Sequence, residues 1–467
     1  MDSESHASYG PSWRSSKALV VLTVCVAMFT ETLLYGFLVP ILPYTLEDRL
    51  HLDPSRTQNL TSTLLSIYGL VTLISTPFIA SWADRVGTRK IPLLLALAVT
   101  LVGTVLVAFV PYLSALYTGR ILQGLGGSAA WILCLSLLTE TAGTDVGKSM
   151  GLCMSFVMAG TVAGPMLGGV LLEWTGYIVA WFVPMGMLCI DIICRLLIID
   201  PRQPPSQKAE EPREPHEGTQ EDATCRPKHT ESSPLLSTQN KDGQAEEHLR
   251  MKFYSTMLRD PRILAALVTS VLSSALVAGF HATWTVHLRR IFDWGPAQVG
   301  GVIFIYQIPL IFVNPLAGYL RDRVGIRYPA AVGLALLAPL VWCLGIPGSD
   351  LQWISPDLDE KSMFVYTAVA IGVVQPLFQD AGLLNTLEVL RSIESSQPDI
   401  FGVYGGRSRV LAMNEISFNL GLLLGPLATS SLSESVGYYY ANLVLAIICL
   451  MSSILALFFF GTKNEQG

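Results

Sequence analysis

Glu31 is the only charged side chain in an apolar run of twenty-six residues, 18–43. A helix carries it about 20 Å in from its start, at 1.5 Å per residue, near the middle of a ~30 Å hydrocarbon layer. A charge at that depth costs at least ~2.5–3.5 kcal/mol. Burial favours the protonated carboxyl, and a nearby cation favours the ionised one. A group balanced between the two could trade a proton for a cationic substrate. The bland reading is a protonated acid that only ties helices together.

Five other polar residues, and five aromatic ones, extend the chemistry. Glu415 lies nearer the end of its apolar run, within reach of headgroups or of Arg407 and Arg409. Asp191 is four residues before Arg195, so an ion pair on one helix face is expected. Arg120 is a buried cation that could answer an acid such as Glu31, and Gln123 and Gln375 are neutral hydrogen-bonding groups suited to a polar wall. Tyr35, Tyr68, Trp131, Trp284 and Tyr306 could face an organic cation, at ~0.5–2 kcal/mol per contact. Each is equally a packing residue. Asp380 and Glu388 are expected to be solvated.

The elements that position these residues are membrane helices. The 467 residues are 51% hydrophobic and 14% charged, where a soluble chain carries about a quarter charged residues. Apolar runs long enough to span recur about twelve times: 18–43, 61–82, 91–111, 113–138, 149–172, 177–199, 262–288, 297–320, 328–346, 362–387, 410–434 and 438–461. Residues 201–250 hold seven prolines, ten acidic and seven basic residues, a composition that cannot offset its chain entropy by burial. The expected layout is a tail (1–17), a six-helix bundle (18–199), a disordered linker (200–260), a second bundle (261–461) and a tail (462–467). Twelve short-loop lysines and arginines on one side against five on the other put the termini and linker in the cytosol.

Seven of the eight cysteines fall in apolar spans, and Cys225 lies in the linker. With no CxxC pair or Cys/His cluster, neither a metal nor a redox centre is expected. No nucleophile–base constellation suggests an enzyme, and nothing suggests nucleic-acid binding. "ESSPLL" (231–236) fits an acidic dileucine sorting string. "NLT" (59–61) is an N-glycosylation sequon set close to the second span.

The halves repeat one another. "GYLRDRVGIR" (318–327) answers "ASWADRVGTR" (80–89), and "GLLLGP" (421–426) answers "GTVAGP" (160–165), each pair in matching spans. Gly160, Gly164 and Gly168 share a helix face that admits a close neighbour, and Pro165 bends that helix. A tight seam between the bundles is expected from this stripe, which continues to Gly169. Gly87 and Gly325 permit tight turns, and Asp84 and Asp322 can accept from a helix N-terminus or an arginine. The arginines of these loops are expected to stay in water.

These motifs resemble the major facilitator superfamily. Asp84, Arg85, Gly87 and Arg89, then Asp322, Arg323, Gly325 and Arg327, match its loop signature. "RILQGLGGSA" (120–129) is similar to its fourth-span pattern, and "GTVAGPMLGG" (160–169) to its antiporter motif. Within it the chain is most similar to twelve-span drug:proton antiporters, above all the vesicular monoamine transporter branch. That resemblance puts Glu31, Asp191 and Glu415 on acids of the branch. Gln375 stands where it implies an aspartate, and Tyr68 where it implies a lysine, so monoamines are not carried over. It further implies an all-α fold of twelve spans in two pseudo-symmetric bundles, with the loops latching the bundles on the cytosolic side. The expected function is proton-driven export or sequestration of an amphipathic, cationic organic molecule by a monomer, in a plasma, vacuolar or vesicular membrane. No cofactor is needed beyond the proton gradient. A uniporter or proton symporter for a polar nutrient is the alternative, and a transport-inactive receptor a third reading.

Overall fold

The computed structural model describes residues 17–85, 90–142, 146–198, 253–349, 359–396 and 407–461. The linker, with Cys225 and the "ESSPLL" string, lies outside them. Every regular element among the described residues is helical. That is the expected outcome where lipid cannot satisfy backbone groups, because a helix closes its own hydrogen bonds.

The N-terminal half comprises α1 (Lys17–Tyr44), α2 (Pro54–Arg85), α3 (Lys90–Phe109), α4 (Leu113–Ala142), α5 (Val146–Thr175) and α6 (Tyr177–Leu197). The C-terminal half comprises α7 (Pro261–Phe292), α8 (Pro296–Val324), α9 (Arg327–Leu344), α10 (Glu360–Val374), α11 (Ala381–Ser396), α12 (Arg407–Val436) and α13 (Tyr438–Phe459). Helices α10 and α11 together make the tenth span, giving twelve long enough to cross a membrane. An even number returns the chain to its starting side; that side is the terminal face, and the other the far face.

Several starts follow local rules. Asp260 caps α7 by accepting from Arg262 N at 2.8 Å, with Pro261 in the first turn. Asp53 accepts from Ser55 N at 2.9 Å ahead of α2, which begins seven residues before its apolar run. The sequon residue Asn59 therefore lies inside a helix, its amide 2.5 Å from Glu434 Oε2.

The tenth span departs from the continuous helix expected over 362–387. It breaks at a 3-10 turn, Gln375–Leu377, because Pro376 lacks an N–H and crowds the preceding turn. Irregular backbone at membrane depth is tolerated only inside protein, and Gln375 is buried there.

The glycine stripe also acts differently from expectation. Gly160, Gly164 and Gly168 do not face the other half; they seat α5 on α1 within their own bundle. A methyl at Gly164 would sit 2.7 Å from Leu33 O and 3.0 Å from Gly36 Cα, and one at Gly168 would run into Phe37 O. The echoing glycines, Gly421 and Gly425, seat α12 on α7 against Val271, Ser274 and Ala275 in the same way. The repeat in sequence is thus a repeat of one helix–helix contact. The seam between halves uses the neighbouring glycines. Gly169 abuts Pro296 O, Gly300 abuts Pro165 O, and Gly69 leaves 2.7 Å between a would-be methyl and Leu423 N.

Polar bonds close the seam from the far face to mid-depth. At the far face Arg289 of α7 pairs with Glu47 and Asp48 at 3.2 and 3.0 Å. Arg290 donates to Pro54 O at 2.8 Å, and Ala297 N, in the first turn of α8, donates to Glu173 Oε2 at 3.0 Å. Deeper, Gln58 donates to Ser430 Oγ at 2.7 Å and to Ala282 O at 3.2 Å, and Ser62 also bonds Ser430. Thr72 donates to Asn419 Oδ1 at 2.9 Å near the middle. Each exposed pair contributes at most ~1 kcal/mol, so the closure is strong only as a set and can come apart.

Two outcomes follow. Gly164→Val should cost roughly 1–3 kcal/mol or more by overpacking, lowering the detergent-state Tm by several degrees. Gly151→Ala, with nothing near the added methyl, should leave it unchanged. Arg289→Glu should set like charges against Glu47 and Asp48. It should speed labelling of a Ser430→Cys probe by an impermeant maleimide several-fold in a variant free of native cysteines. An unchanged rate would contradict the far-face closure.

Candidate functional site

Within the N-terminal half, α1, α2 and α4 bring the predicted charged group together. Glu31 is 6% exposed, and Tyr68 Oη donates to its Oε1 at 2.9 Å. Room for the carboxylate comes from Gly127 on α4. A methyl there would run into Glu31 Oε1 and sit 2.7 Å from Tyr68 Oη. Tyr35, one turn beyond Glu31, packs against Tyr68 with ring centroids 5.2 Å apart. Both tyrosines are half-buried, whereas Glu31 behind them is buried.

Arg120 lies under the same two rings, its guanidinium carbon 5.1 Å from the Tyr68 centroid and 5.8 Å from that of Tyr35. Its Nε donates to Leu64 O at 3.1 Å, and Nη1 to Gln123 Oε1 at 3.0 Å. Gln123 Nε2 in turn donates to Thr104 Oγ1 at 3.1 Å. Nη2 is buried with no hydrogen bond. Of the roles open to Arg120, a direct ion pair with Glu31 is not the one seen: the two meet through the shared Tyr68. Tyr68, standing where the resemblance implies a lysine, supplies a neutral donor to the acid and an aromatic face to the cation.

The C-terminal half gathers a neutral group. Trp284 of α7 stacks on Phe280 at 5.0 Å and meets Tyr306 and Phe364 edge-on at 5.3 and 5.4 Å. Tyr306 Oη bonds Gln375 Oε1 in the break of the tenth span, and Gln375 Nε2 donates to Gln379 Oε1 at 3.0 Å. Trp131 is half-buried on α4 and packs against the apolar core. It does not join this group.

The remaining acids stand apart. Glu415, half-buried on α12, accepts from Asn419 Nδ2 at 3.2 Å. Asn419 is the residue that also takes the Thr72 bond, so Glu415 is tied to the seam rather than to Glu31. Asp191 on α6 does not make the expected pair with Arg195. It lies beside Thr30, whose hydroxyl donates to Val26 O, and its own oxygens are buried without a hydrogen bond of normal length. Asp191 and Arg195 line one small void with Thr23 and Leu93. A larger cleft, of about 270 Å³, opens at the far face between Tyr44, Asp48, Arg289, Asp293 and Trp294.

Of the two loop motifs, the second is described. Gly325 adopts φ +84° just past α8, and its N–H donates to Arg321 O at 2.9 Å. That is the glycine-only turn the motif implied. Asp322 and Arg323 are exposed, with Arg323 lying 4.8 Å over the Tyr319 ring, and Arg327 is half-buried at the start of α9. Arg321 contradicts the expectation of solvated loop arginines: it is 9% exposed and stands 4.0 Å from Asp380. In the first loop Gly87 and Arg89 lie outside the described residues, as do the side chains of Asp84 and Arg85. Lys90 donates to Leu196 O and Ile198 O at 2.9 and 2.8 Å, satisfying the end of α6.

Sequence reading passed over His281 and His287. His281 of α7 faces Tyr35 across the seam, ring centroids 6.5 Å apart, and His287 stacks on Tyr438 at 3.4 Å. Both were findable as ionisable residues inside an apolar span. Gly127 was findable in the quoted "RILQGLGGSA", as a residue without a side chain beside one needing space.

The family profile described as Major Facilitator Superfamily matches residues 24–386. An uncharacterised MFS-type transporter of Schizosaccharomyces pombe is 29% identical over 453 residues, covering 95% of this chain and 96% of that protein. A vesicular acetylcholine transporter of Tetronarce californica is 23% identical, covering 95% and 81%. The solved nucleoside transporter NupG superposes with a TM-score of 0.65 at 12% identity, covering 94% of this chain and 98% of that one; this likeness speaks for the fold alone. Paired six-helix bundles, repeated glycine contacts and a profile match over most of the chain lead to one assignment: this protein is a membrane transporter belonging to the Major Facilitator Superfamily.

Proposed function

We propose that the protein is a proton-coupled antiporter that moves an amphipathic, cationic organic molecule by alternating access. The observation that carries this reading is the Glu31–Tyr68–Arg120 cluster. It is a carboxyl at mid-membrane depth with one hydrogen bond from a phenol and a cation under the ring of that phenol and of its neighbour Tyr35. A carboxyl so placed can hold a proton or answer a cationic ligand. Because each occupant displaces the other, the two movements are linked. Arg120 and Tyr68 are the positioning residues, and Tyr35 and Tyr68 are the half-buried rings an organic cation would meet first.

The far-face ion pairs and the Ser430 bonds act as the gate on one side, and the DRVG loops as the latch on the terminal face. Both are small enough in energy to let two states be populated. The excess of loop lysines and arginines supports a cytosolic terminal face. A relative named as a vesicular acetylcholine transporter supports a cationic cargo and a vacuolar or vesicular membrane. No second protein subunit enters this scheme.

In proteoliposomes, Glu31→Gln should abolish ΔpH-driven accumulation of radiolabelled phenethylamine, down to the level of protein-free vesicles, while expression and Tm stay unchanged. Full accumulation by the variant would remove Glu31 from the mechanism. Counterflow without a proton gradient that persists in the variant, weakened by loss of the counter-charge, while accumulation is lost altogether is the signature of coupling rather than of a broken site.

A further inference from the structure

His281 and Tyr35 leave polar atoms without partners where the two halves meet, and further unpaired donors lie on α7 and α8 of the C-terminal half. His281 is 3% exposed and neither ring nitrogen has a hydrogen bond. Across the seam the hydroxyl of Tyr35 is buried and equally unbonded, although the two rings stand 6.5 Å apart at 47°. One turn along the same face of α7, Trp284 Nε1 is buried without an acceptor, and so is Gln307 Nε2 on α8. The backbone at this point is fixed, since Ala282 O accepts from Gln58 of the other half at 3.2 Å and His281 O accepts from Thr285 at 3.2 Å. Native interiors leave few such atoms unpaired, each costing ~1–3 kcal/mol. An unpaired histidine and tyrosine facing one another across the seam mark a place where something else completes the bonds.

The chemistry of the complement can be read from the donors. A tryptophan N–H and a glutamine Nε2 only donate, whereas a tyrosine hydroxyl and a neutral imidazole donate and accept. Every member can offer a hydrogen, and none is a carboxylate or a fixed cation. The group they suit is an uncharged oxygen, such as a hydroxyl or a carbonyl. Tyr35 stands four residues after Glu31, about 6 Å along α1, so a small molecule can reach the acid and this pair together.

We propose that His281 and Tyr35 form a specificity pair that binds an uncharged oxygen of the substrate at the end remote from Glu31. The cargo class is then an aromatic or aliphatic amine carrying a hydroxyl or carbonyl oxygen. The amine half of that statement rests on the reading of Glu31; the oxygen half does not.

The test uses full-length purified protein and measures Kd for two scaffolds, cationic phenethylamine and anionic phenylpropionate, each against its para-hydroxylated analogue. The hydroxylated amine should bind roughly three- to tenfold tighter, the range of one hydrogen bond. His281→Leu should bring that ratio to one without weakening the parent amine, and His281→Gln should keep part of it. Tyr35→Phe should lower it too, and carries the test if His281→Leu does not fold. A preference confined to the carboxylate scaffold and lost in His281→Leu upholds the pair and defeats the cationic reading. Wild-type protein indifferent to the hydroxyl on both scaffolds, or a His281→Leu protein that keeps the full preference, overturns the proposal.

Discussion

A carboxyl placed in the middle of a membrane is the constraint on which the rest of the structure depends. Glu31 would be costly anywhere in the bilayer core. The bundle meets that cost by wrapping it in α1, α2 and α4, giving it a phenol donor from Tyr68 and emptying a side-chain volume at Gly127. Arg120 is fixed separately, by Leu64 O and Gln123, with its face on the two tyrosines. Acid and cation are near enough to influence one another and are not locked as a buried ion pair, which would be hard to break. An exchanger needs that intermediate condition, because its acid must change partners during each cycle.

The mechanical side follows from where glycine is used. Two equivalent contacts, α5 on α1 and α12 on α7, bring backbones together within each half and leave nothing soft to deform. Alternating access, as proposed above, would then move the halves as bodies. The seam between them carries a few small-residue contacts and individually modest hydrogen bonds, from Arg289 and Glu47 at the far face to Thr72 and Asn419 at mid-depth. Stiff inside and weakly joined across is the arrangement that rocking requires.

Much of the fold was legible from residue order, and the reasons are physical. Apolar runs of membrane length define helices because lipid leaves the backbone no alternative, and the repeated DRVG and GxxxGP strings disclosed the duplication. Side-chain destinations were less legible. Spacing alone suggested that Asp191 would bond Arg195, but one turn on a helix gives proximity, not geometry, and its carboxylate makes no such bond. The Gly160–Gly168 stripe announced a close approach without naming the partner, which is α1 rather than the other half. The break at Gln375–Leu377 escaped because a proline does not by itself end a membrane helix: Pro40, Pro165 and Pro309 lie inside continuous helices, and Pro376 does not. His281 and His287 stood out only as ionisable residues in an apolar span; which of them meets the other half was not legible until the structure set His281 opposite Tyr35.

The central claim is that Glu31 gives up a proton when a cation arrives. The direct measurement is proton release on binding, followed with a pH-sensitive dye in weakly buffered, detergent-purified protein as phenethylamine is added. The account predicts acidification that saturates with binding in the wild type and vanishes in Glu31→Gln. Saturable binding by the wild type with no proton released, or equal release from the variant, would contradict it.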